Sequence, residues 1–298
     1  MPKKPHKSNP YEIERPGVVQ FSGGRTSGYL LKHIIDAYGG KLPEDIIVCF
    51  QNTGLEHEKT LEFIRDCELN WGVEIHWIEY DVRENKNNPT GTEYFPKKVT
   101  FDTAARKGEP FKKMVIKQGY LPNPLVRSCT ANLKIRVAQK YLRQFDSHKD
   151  GWVSALGLRF DEPHRVHRVK PDSRFDEPMC PLYYAEVTEQ MVLDFWNDQP
   201  FDLNLPLGGN IAGNCVGCFL KGKPKIETLM KEMPEQFDVW VELENIKLGK
   251  TKESASYQSF RTDRPRYEDM LATSKSQGWL FTPEEMAIDD SKPCFCHD

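Results

Sequence analysis

The amino-acid sequence predicts an α/β fold: a doubly wound parallel sheet followed by a helical, cysteine-bearing C-terminal region. Apolar runs of strand length recur at residues 18–21, 46–51, 74–80 and 152–158. Helical patterns lie between them, at 60–70 and 133–145. Strands alternating with helices pack as a parallel sheet, and such sheets bind ligands beyond the carboxyl ends of their strands. Polar clusters stand at three of those ends: Ser22-Gly23-Gly24-Arg25-Thr26-Ser27, Gln51-Asn52-Thr53-Gly54 and Arg159-Phe160-Asp161-Glu162.

The first cluster sets the strongest expectation. Val18-Val19-Gln20-Phe21 reads as a buried strand, and residues 29–35 as the helix after it. A strand, a glycine turn and a helix N-terminus together make an anion site. The glycines admit phosphate oxygens close to the backbone, first-turn N–H groups point at them, and the helix dipole favours their charge. Ser22 and Ser27 add hydroxyl donors, and Arg25 adds a cation that can fork onto a phosphate. Two glycines alone are equally an ordinary turn; polar clusters at three strand ends favour a nucleotide site.

The remaining elements follow in order. Residues 85–119, rich in Lys, Asn and Pro, are expected to leave the sheet as a flexible cap over the site. From about residue 171 the pattern changes to helices and loops. An amphipathic helix at 188–197 is N-capped by Thr188, a second helical stretch covers 224–238, and 247–267 is polar and mobile. The organisation expected is a disordered basic arm (1–16), a nucleotide-binding α/β domain (17–170) and a C-terminal region (171–298), with a soft boundary that leaves one domain open. Trp196 and Trp240 are expected to serve helix packing.

The chain has 298 residues and a net charge of −3. It can bury a large core. No apolar stretch approaches the roughly 18 residues of a membrane span, and the basic start has no apolar segment of a secretory signal. A cytoplasmic protein with no membrane partner is expected. Its eight cysteines are then mostly reduced and serve as core residues, ligands or nucleophiles. Cys49 and Cys67 fit packing, and Cys180 fits either role. Cys129, the Cys215-Val216-Gly217-Cys218 pair and Cys294-Phe295-Cys296 stand apart. All-thiolate ligation suits an iron–sulfur cluster or Zn²⁺.

Together these segments resemble the PP-loop ATP pyrophosphatase superfamily, in the branch of the phosphoadenosine phosphosulfate (PAPS) reductases. Residues 22–27 match its SGGxxS loop. Asn52-Thr53-Gly54 is similar to its second-strand segment, where base and ribose lie. Cys129-Thr130 with Leu133-Lys134 is similar to its cysteine, threonine and lysine segment, and Gly157-Leu158-Arg159-Phe160-Asp161-Glu162 to its GxRxDE-like signature. The likeness covers most of 17–220. It is greatest to a group of phage and bacterial PAPS reductase-like proteins, more loosely including the ATP pyrophosphatases of DNA phosphorothioation.

The resemblance implies an adenine nucleotide alpha hydrolase-like fold that binds ATP and Mg²⁺. It implies an ATP pyrophosphatase that adenylates an oxygen for sulfur insertion, with DNA as the first acceptor expected and tRNA the next. A cysteine desulfurase or other sulfur donor would then be a partner, and a homodimer is possible. Ser22, Arg25, Lys134, Arg159 and Cys296 are the candidate catalytic residues. Residues 22–27, Asn52, Thr53, Gly54, Gly157, Arg159, Asp161 and Glu162 are the candidate nucleotide ligands. Cys129, Cys215, Cys218 and Cys294 are the candidate ligands of a [4Fe–4S] cluster, with zinc as the alternative. The Cys129 segment has one cysteine where the reductases that hold a cluster have two. Cys294 and His297 also fit the spacing of the reductases' terminal nucleophile, which leaves open which of Cys294 and Cys296 binds metal. Two other activities stay open: a reductase releasing sulfite from PAPS or its 3′-unphosphorylated analogue, and a nucleotide-binding regulatory or phage accessory protein without turnover. The cations at 165–174 and at Lys221, Lys223 and Lys225 are candidates for a nucleic-acid backbone. Asp161 and Glu162 are also read as a solvated pair.

Overall fold

The computed structural model describes residues 2–5, 8–88, 90–171, 174–208, 210–248 and 259–274. A six-stranded sheet carries β1 (Gly17–Gln20), β2 (Ile46–Asn52), β3 (Ile75–Glu84), β4 (Thr92–Val99), β5 (Trp152–Ala155) and β6 (Asp176–Met179) in the order β4-β3-β2-β1-β5-β6. All pairings are parallel except β3 with β4. The strand order reverses at β1, which pairs with β2 through Gly17↔Ile46 and with β5 through Gly17↔Val153. The fold is therefore a doubly wound α/β sheet, and its switch point is the C-terminal end of β1.

Alternate side chains of each strand feed two cores. Val19, Val48 and Phe50 face α1 (Arg25–Ala37), α2 (Glu58–Trp71) and, further along the chain, the helix that carries Trp196. Val18, Cys49 and Ile78 face the other layer, formed by α3 (Glu109–Gln118), a π-helix (Thr130–Arg136) that runs into α4 (Val137–Leu142), and the C-terminal helices. Burial on both faces explains why Ile46-Ile47-Val48-Cys49-Phe50 is continuously apolar. Cys49 and Cys67 are fully buried packing residues, as expected, and desolvation pushes both thiols up.

Between β5 and β6 lies α5 (Pro163–Val166); beyond β6 come α6 (Pro181–Tyr184), α7 (Glu189–Asn197), α8 (Lys223–Glu232), α9 (Asp238–Asn245) and α10 (Tyr267–Ser274). Thr188 caps α7 by accepting from the Met191 amide. Trp196 and Trp240 are buried in helix packing. Among the described residues no helix is long and apolar enough to cross a membrane.

Four expectations change. Residues 92–99 are not a flexible cap but the antiparallel edge strand β4, its Tyr94 ring stacked on Tyr80 with centroids 5.5 Å apart. Its lysines and Pro96 suit an edge, where a missing amide costs no ladder bond and charge discourages further pairing. The helix expected over 133–145 starts as a π-helix, a rare form with wider turns. The described part of the N-terminal arm is docked: Lys3 bridges to Met179 and ion-pairs with Glu177, and Ile13 is buried. The described part of 247–267 is packed too, since Phe260 and Tyr267 are buried in the core shared with the sheet. The sheet also continues past residue 170, because β6 is its far edge.

Candidate functional site

The chain leaves β1 at Gln20, turns through Ser22 and Gly23, and enters α1 with Gly24 as N-cap. Gly23 sits at φ +78°, and a Cβ there would meet Thr60 Cγ2 at 2.7 Å and Ile64 Cδ1 at 2.9 Å. Only glycine allows both the left-handed turn and the contact with α2. Such a side chain would point at α2, not at the space a phosphate would fill. Ser27 is turned inward: its Oγ donates to the Gly24 carbonyl, accepts from the Gly24 amide, and lies 3.0 Å from Ser22 Oγ. It braces the loop from within. No side chain caps Gly24, and the first intrahelical bond is that of the Gly28 amide to the Gly24 carbonyl. Of the amides ahead of it, that of Gly24 is taken by Ser27 Oγ, while those of Arg25, Thr26 and Ser27 lack intrahelical backbone partners by geometry and sit at the positive end of the α1 dipole.

Beside them lies a pocket of about 520 Å³ lined by Ser22, Gly23, Gly24, Arg25 and Thr26, with Arg159 and Glu162, residues of α7, and Leu203, Leu205, Asn210, Gly213 and Asn214 as further walls. Five of the six loop residues and two of the four residues expected after β5 thus share one cavity. Arg159 lies across its floor, with Nη1 3.2 Å from Thr26 Oγ1 and Nε donating to Asp161 at 2.9 Å.

Arg25 departs from expectation. Its guanidinium donates twice to Asp202, at 2.7 and 2.6 Å, and this carboxylate raises the arginine's pKa. The Arg25 carbonyl accepts from Trp196 Nε1 at 2.8 Å. Gly28 makes room for the same indole, whose CZ2 would lie 2.7 Å from a Cβ there. Asp202 belongs to the Pro200-Phe201-Asp202-Leu203 stretch, and its pairing across 177 residues left no local signal in the sequence.

Asn52 and Thr53 do not reach the pocket. The Asn52 amide is fully buried and donates to Glu79 at 2.7 Å and to the Ala105 carbonyl at 2.9 Å. Thr53 gives its hydroxyl and amide to Glu56, and its Oγ1 lies 3.3 Å from Cys215 Sγ. Gly54, at φ +76°, accepts from the Gly108 amide. Gly157 lines neither this pocket nor the second one described below.

The acidic pair and the cysteines have the following partners. Asp161 accepts from Arg159 and from the Glu189 amide, and Glu162 from the Arg159 amide and from Arg165. Cys215 and Cys218 form a tight turn, the Cys218 amide donating to the Cys215 carbonyl, and Cys129 packs against the same core. Yet among the described residues no three His, Cys, Asp or Glu side chains gather as metal ligands, and none of the six described cysteines is in a disulfide. The described thiols alone therefore do not fit a four-thiolate cluster or zinc. Cys294, Cys296 and His297 lie outside the described residues. The turn itself is anchored: Trp240 donates to the Val216 carbonyl and Tyr267 to that of Gly217. Burial raises the Cys180 thiol to about 12, which makes it a packing residue.

Lys134 lies elsewhere. It extends from the π-helix into a second cavity of about 230 Å³ that also contains Gln20 and Gln51. These side chains belong to the sheet face opposite α1.

The fold and the place of the pocket define the class: a doubly wound α/β protein with a pocket at its switch point, the C-terminal end of β1. The chain belongs to the family of the uncharacterized nin region protein ORF290 of Escherichia phage lambda, to which it is 33% identical over 223 residues, 72% of this chain and 69% of the phage protein. It is also 28% identical over 239 residues to an uncharacterized protein of Methanocaldococcus jannaschii, covering 78% of this chain but 42% of the archaeal one. The chain thus spans under half the length of that relative. No protein-family model matches the chain.

Proposed function

We propose that the glycine-loop pocket holds the polyphosphate of an adenine nucleotide and that the protein is a PP-loop ATP pyrophosphatase activating an oxygen for sulfur insertion, with DNA as acceptor. The observation that carries this reading is the N-terminus of α1, whose first residues Arg25 and Thr26 line a pocket shared with Arg159. The likeness of residues 22–27 and 157–162 to the PP-loop signatures supports it.

In this reaction an acceptor oxygen bonds to the α-phosphorus, the bond from the α-phosphorus to the bridging oxygen breaks, and pyrophosphate leaves with that electron pair. Charge grows on the leaving group, and the first-turn amides of α1 are aimed where it grows. Donors fixed beforehand stabilise such charge with little reorganisation. Thr26 and Ser22 offer hydroxyls, and Arg159, held by Asp161, presents its guanidinium at the floor. Arg25 joins them only by exchanging Asp202 for phosphate oxygens. A thiolate cluster or zinc, where Cys294 or Cys296 completes the set, would supply sulfur handling or structural support; no step is routed through it.

Products test this reading. Incubation with ATP, a DNA oligonucleotide and sulfide as the sulfur nucleophile is expected to release pyrophosphate on adenylation and an equal amount of AMP when sulfur displaces it, and Arg159→Ala is expected to lower the rate at least about tenfold, the loss of one charged donor. Absence of pyrophosphate from ATP, with thiol-dependent sulfite release from PAPS, would replace the proposal with a reductase.

A further inference from the structure

We infer that the cavity beneath the π-helix is a binding site for one nucleotide unit, separate from the polyphosphate pocket. Ser154, 2% exposed at the centre of β5, is one of the residues lining this cavity, and its buried Oγ has no hydrogen-bond partner. Gln139 Nε2, on α4, is likewise buried and without one. Buried polar atoms are seldom left unpaired, since each costs about 1–3 kcal/mol. Two residues of one cavity wall that each keep an unpaired polar atom point to a wall whose polar groups an occupant would complete.

The other walls say what the occupant is. Gln51 Nε2 meets Gln20 Oε1 at 3.3 Å, a weak contact that leaves each amide further donor and acceptor capacity. Trp152 and Leu156 supply flat apolar surface beside them. Amides that both donate and accept, around a slot with an aromatic wall, match the edge and face of a nucleobase. Arg168 and Lys170 stand at one side, where a phosphate attached to that base is attracted. At about 230 Å³ the cavity lies below the roughly 300–1,000 Å³ of drug-sized sites, enough for a base and part of its sugar. The π-helix makes the room: its wide turns set Thr130, Lys134 and Ile135 along the cavity.

The two cavities lie on opposite faces of the sheet yet meet at one point of the chain. Gln20 lines one and Ser22 the other, two residues apart and so at most about 7 Å along the backbone. If the glycine loop holds ATP, the nucleotide unit here is the acceptor, its oxygen presented towards the α-phosphate. That role rests on the proposed function; the existence of the site does not.

Calorimetric titration tests the site in the full chain. Saturating pyrophosphate fills the glycine-loop pocket, and each of the four common ribonucleoside 5′-monophosphates, then a short single-stranded oligodeoxynucleotide, is added. Saturable binding of at least one probe is expected with pyrophosphate present, weakened at least tenfold by Gln139→Leu and by Ser154→Val and unchanged by Ser22→Ala. Tighter binding of the oligonucleotide identifies a strand as the source, and tighter binding of a monophosphate identifies a free nucleotide. Unchanged pyrophosphate affinity in the two cavity variants shows that they fold. No saturable binding of any probe, or binding that pyrophosphate abolishes, overturns the inference while leaving the polyphosphate reading intact. Binding sensitive to the cavity variants in a chain that ignores pyrophosphate upholds the site and overturns the other reading.

Discussion

The loops that follow β1 and β2 leave the C-terminal ends of neighbouring parallel strands, and both carry a polar, glycine-bearing signature. They do opposite things with their polar atoms. The first turns Ser27 inward to brace itself and leaves the leading amides of α1 facing a pocket. The second consumes its groups internally: Asn52 on Glu79 and Ala105, Thr53 on Glu56, Gly54 on Gly108. A polar cluster at a strand end is thus evidence of a site only when something nearby has not already satisfied it. The second loop holds neighbouring segments in place, and the first is the one left bordering a pocket.

The largest expected effect tests that division. Glu79 is 5% exposed, and one oxygen accepts from both Asn52 Nδ2 and the Ala105 amide. Glu79→Ala strands two buried donors and is expected to lower stability by about 2–5 kcal/mol in urea unfolding. Ser22→Ala is expected to cost less than about 0.5 kcal/mol while weakening pyrophosphate binding. Equal stability losses would erase the contrast between the loops.

A second variant separates shape from contact in the first loop. Gly23→Ala introduces a side chain at φ +78° and against Thr60 and Ile64. Left-handed strain of about 1–2 kcal/mol adds to the displacement of α2, so a loss of about 2–3 kcal/mol is expected. A chain as stable as the parent would show that the loop has another conformation at little cost.

Much of this was legible in the sequence, and the rest was hidden for physical reasons. The run at 46–50 announces a strand because both its faces are covered, and residues 22–24 announce a turn because two glycines adjoin a helical pattern. β4 was concealed because an edge strand with a solvated face carries Lys and Pro, which also mark loops. The π-helix was concealed because its period differs from the 3.6-residue one sought. Lys134 has the expected residue type and spacing yet opens into the cavity on the far face, and a short motif does not fix a side chain's direction. Asp202, too distant in sequence to be paired with Arg25, emerges only from the folded chain.

Asp202 supplies the third test, on binding alone. In the unliganded pocket its carboxylate occupies the guanidinium that a polyphosphate would use and adds negative charge beside the loop. Asp202→Asn removes that competition in a pair about 30% exposed, where ion pairs contribute about 1 kcal/mol or less. Pyrophosphate affinity is expected to rise about fivefold, and the gain to shrink in high salt. Weaker binding would mean that Asp202 instead aims Arg25 at the phosphate.

The smallest effect is a pH dependence confined to the second loop's side of the comparison. His57 caps α2 by accepting from the Lys59 amide through Nδ1, which only the neutral ring can do. Burial is the main cause holding its pKa below the usual value near 6.5, with Lys59 helping and Glu58 and Glu62 opposing. With the folded pKa depressed, the unfolded chain takes up the proton first as pH falls. The contribution of His57 is therefore complete above about pH 6.5 and is lost as pH drops from there towards the folded value. The other buried histidines, His33, His76 and His148, shift in the same direction, so only a difference isolates the cap. His57→Asn keeps a cap that does not titrate. The fall in Tm between pH 7.5 and 5.5 is expected to be smaller in this variant, by the roughly 0.5–1 kcal/mol a cap is worth. Pyrophosphate affinity should change equally with pH in both chains, because α1 keeps its own N-terminus. A parallel fall in Tm would remove His57 from the account, and a divergence in affinity would mean that the α2 cap reaches the first loop through Thr60 and Gly23.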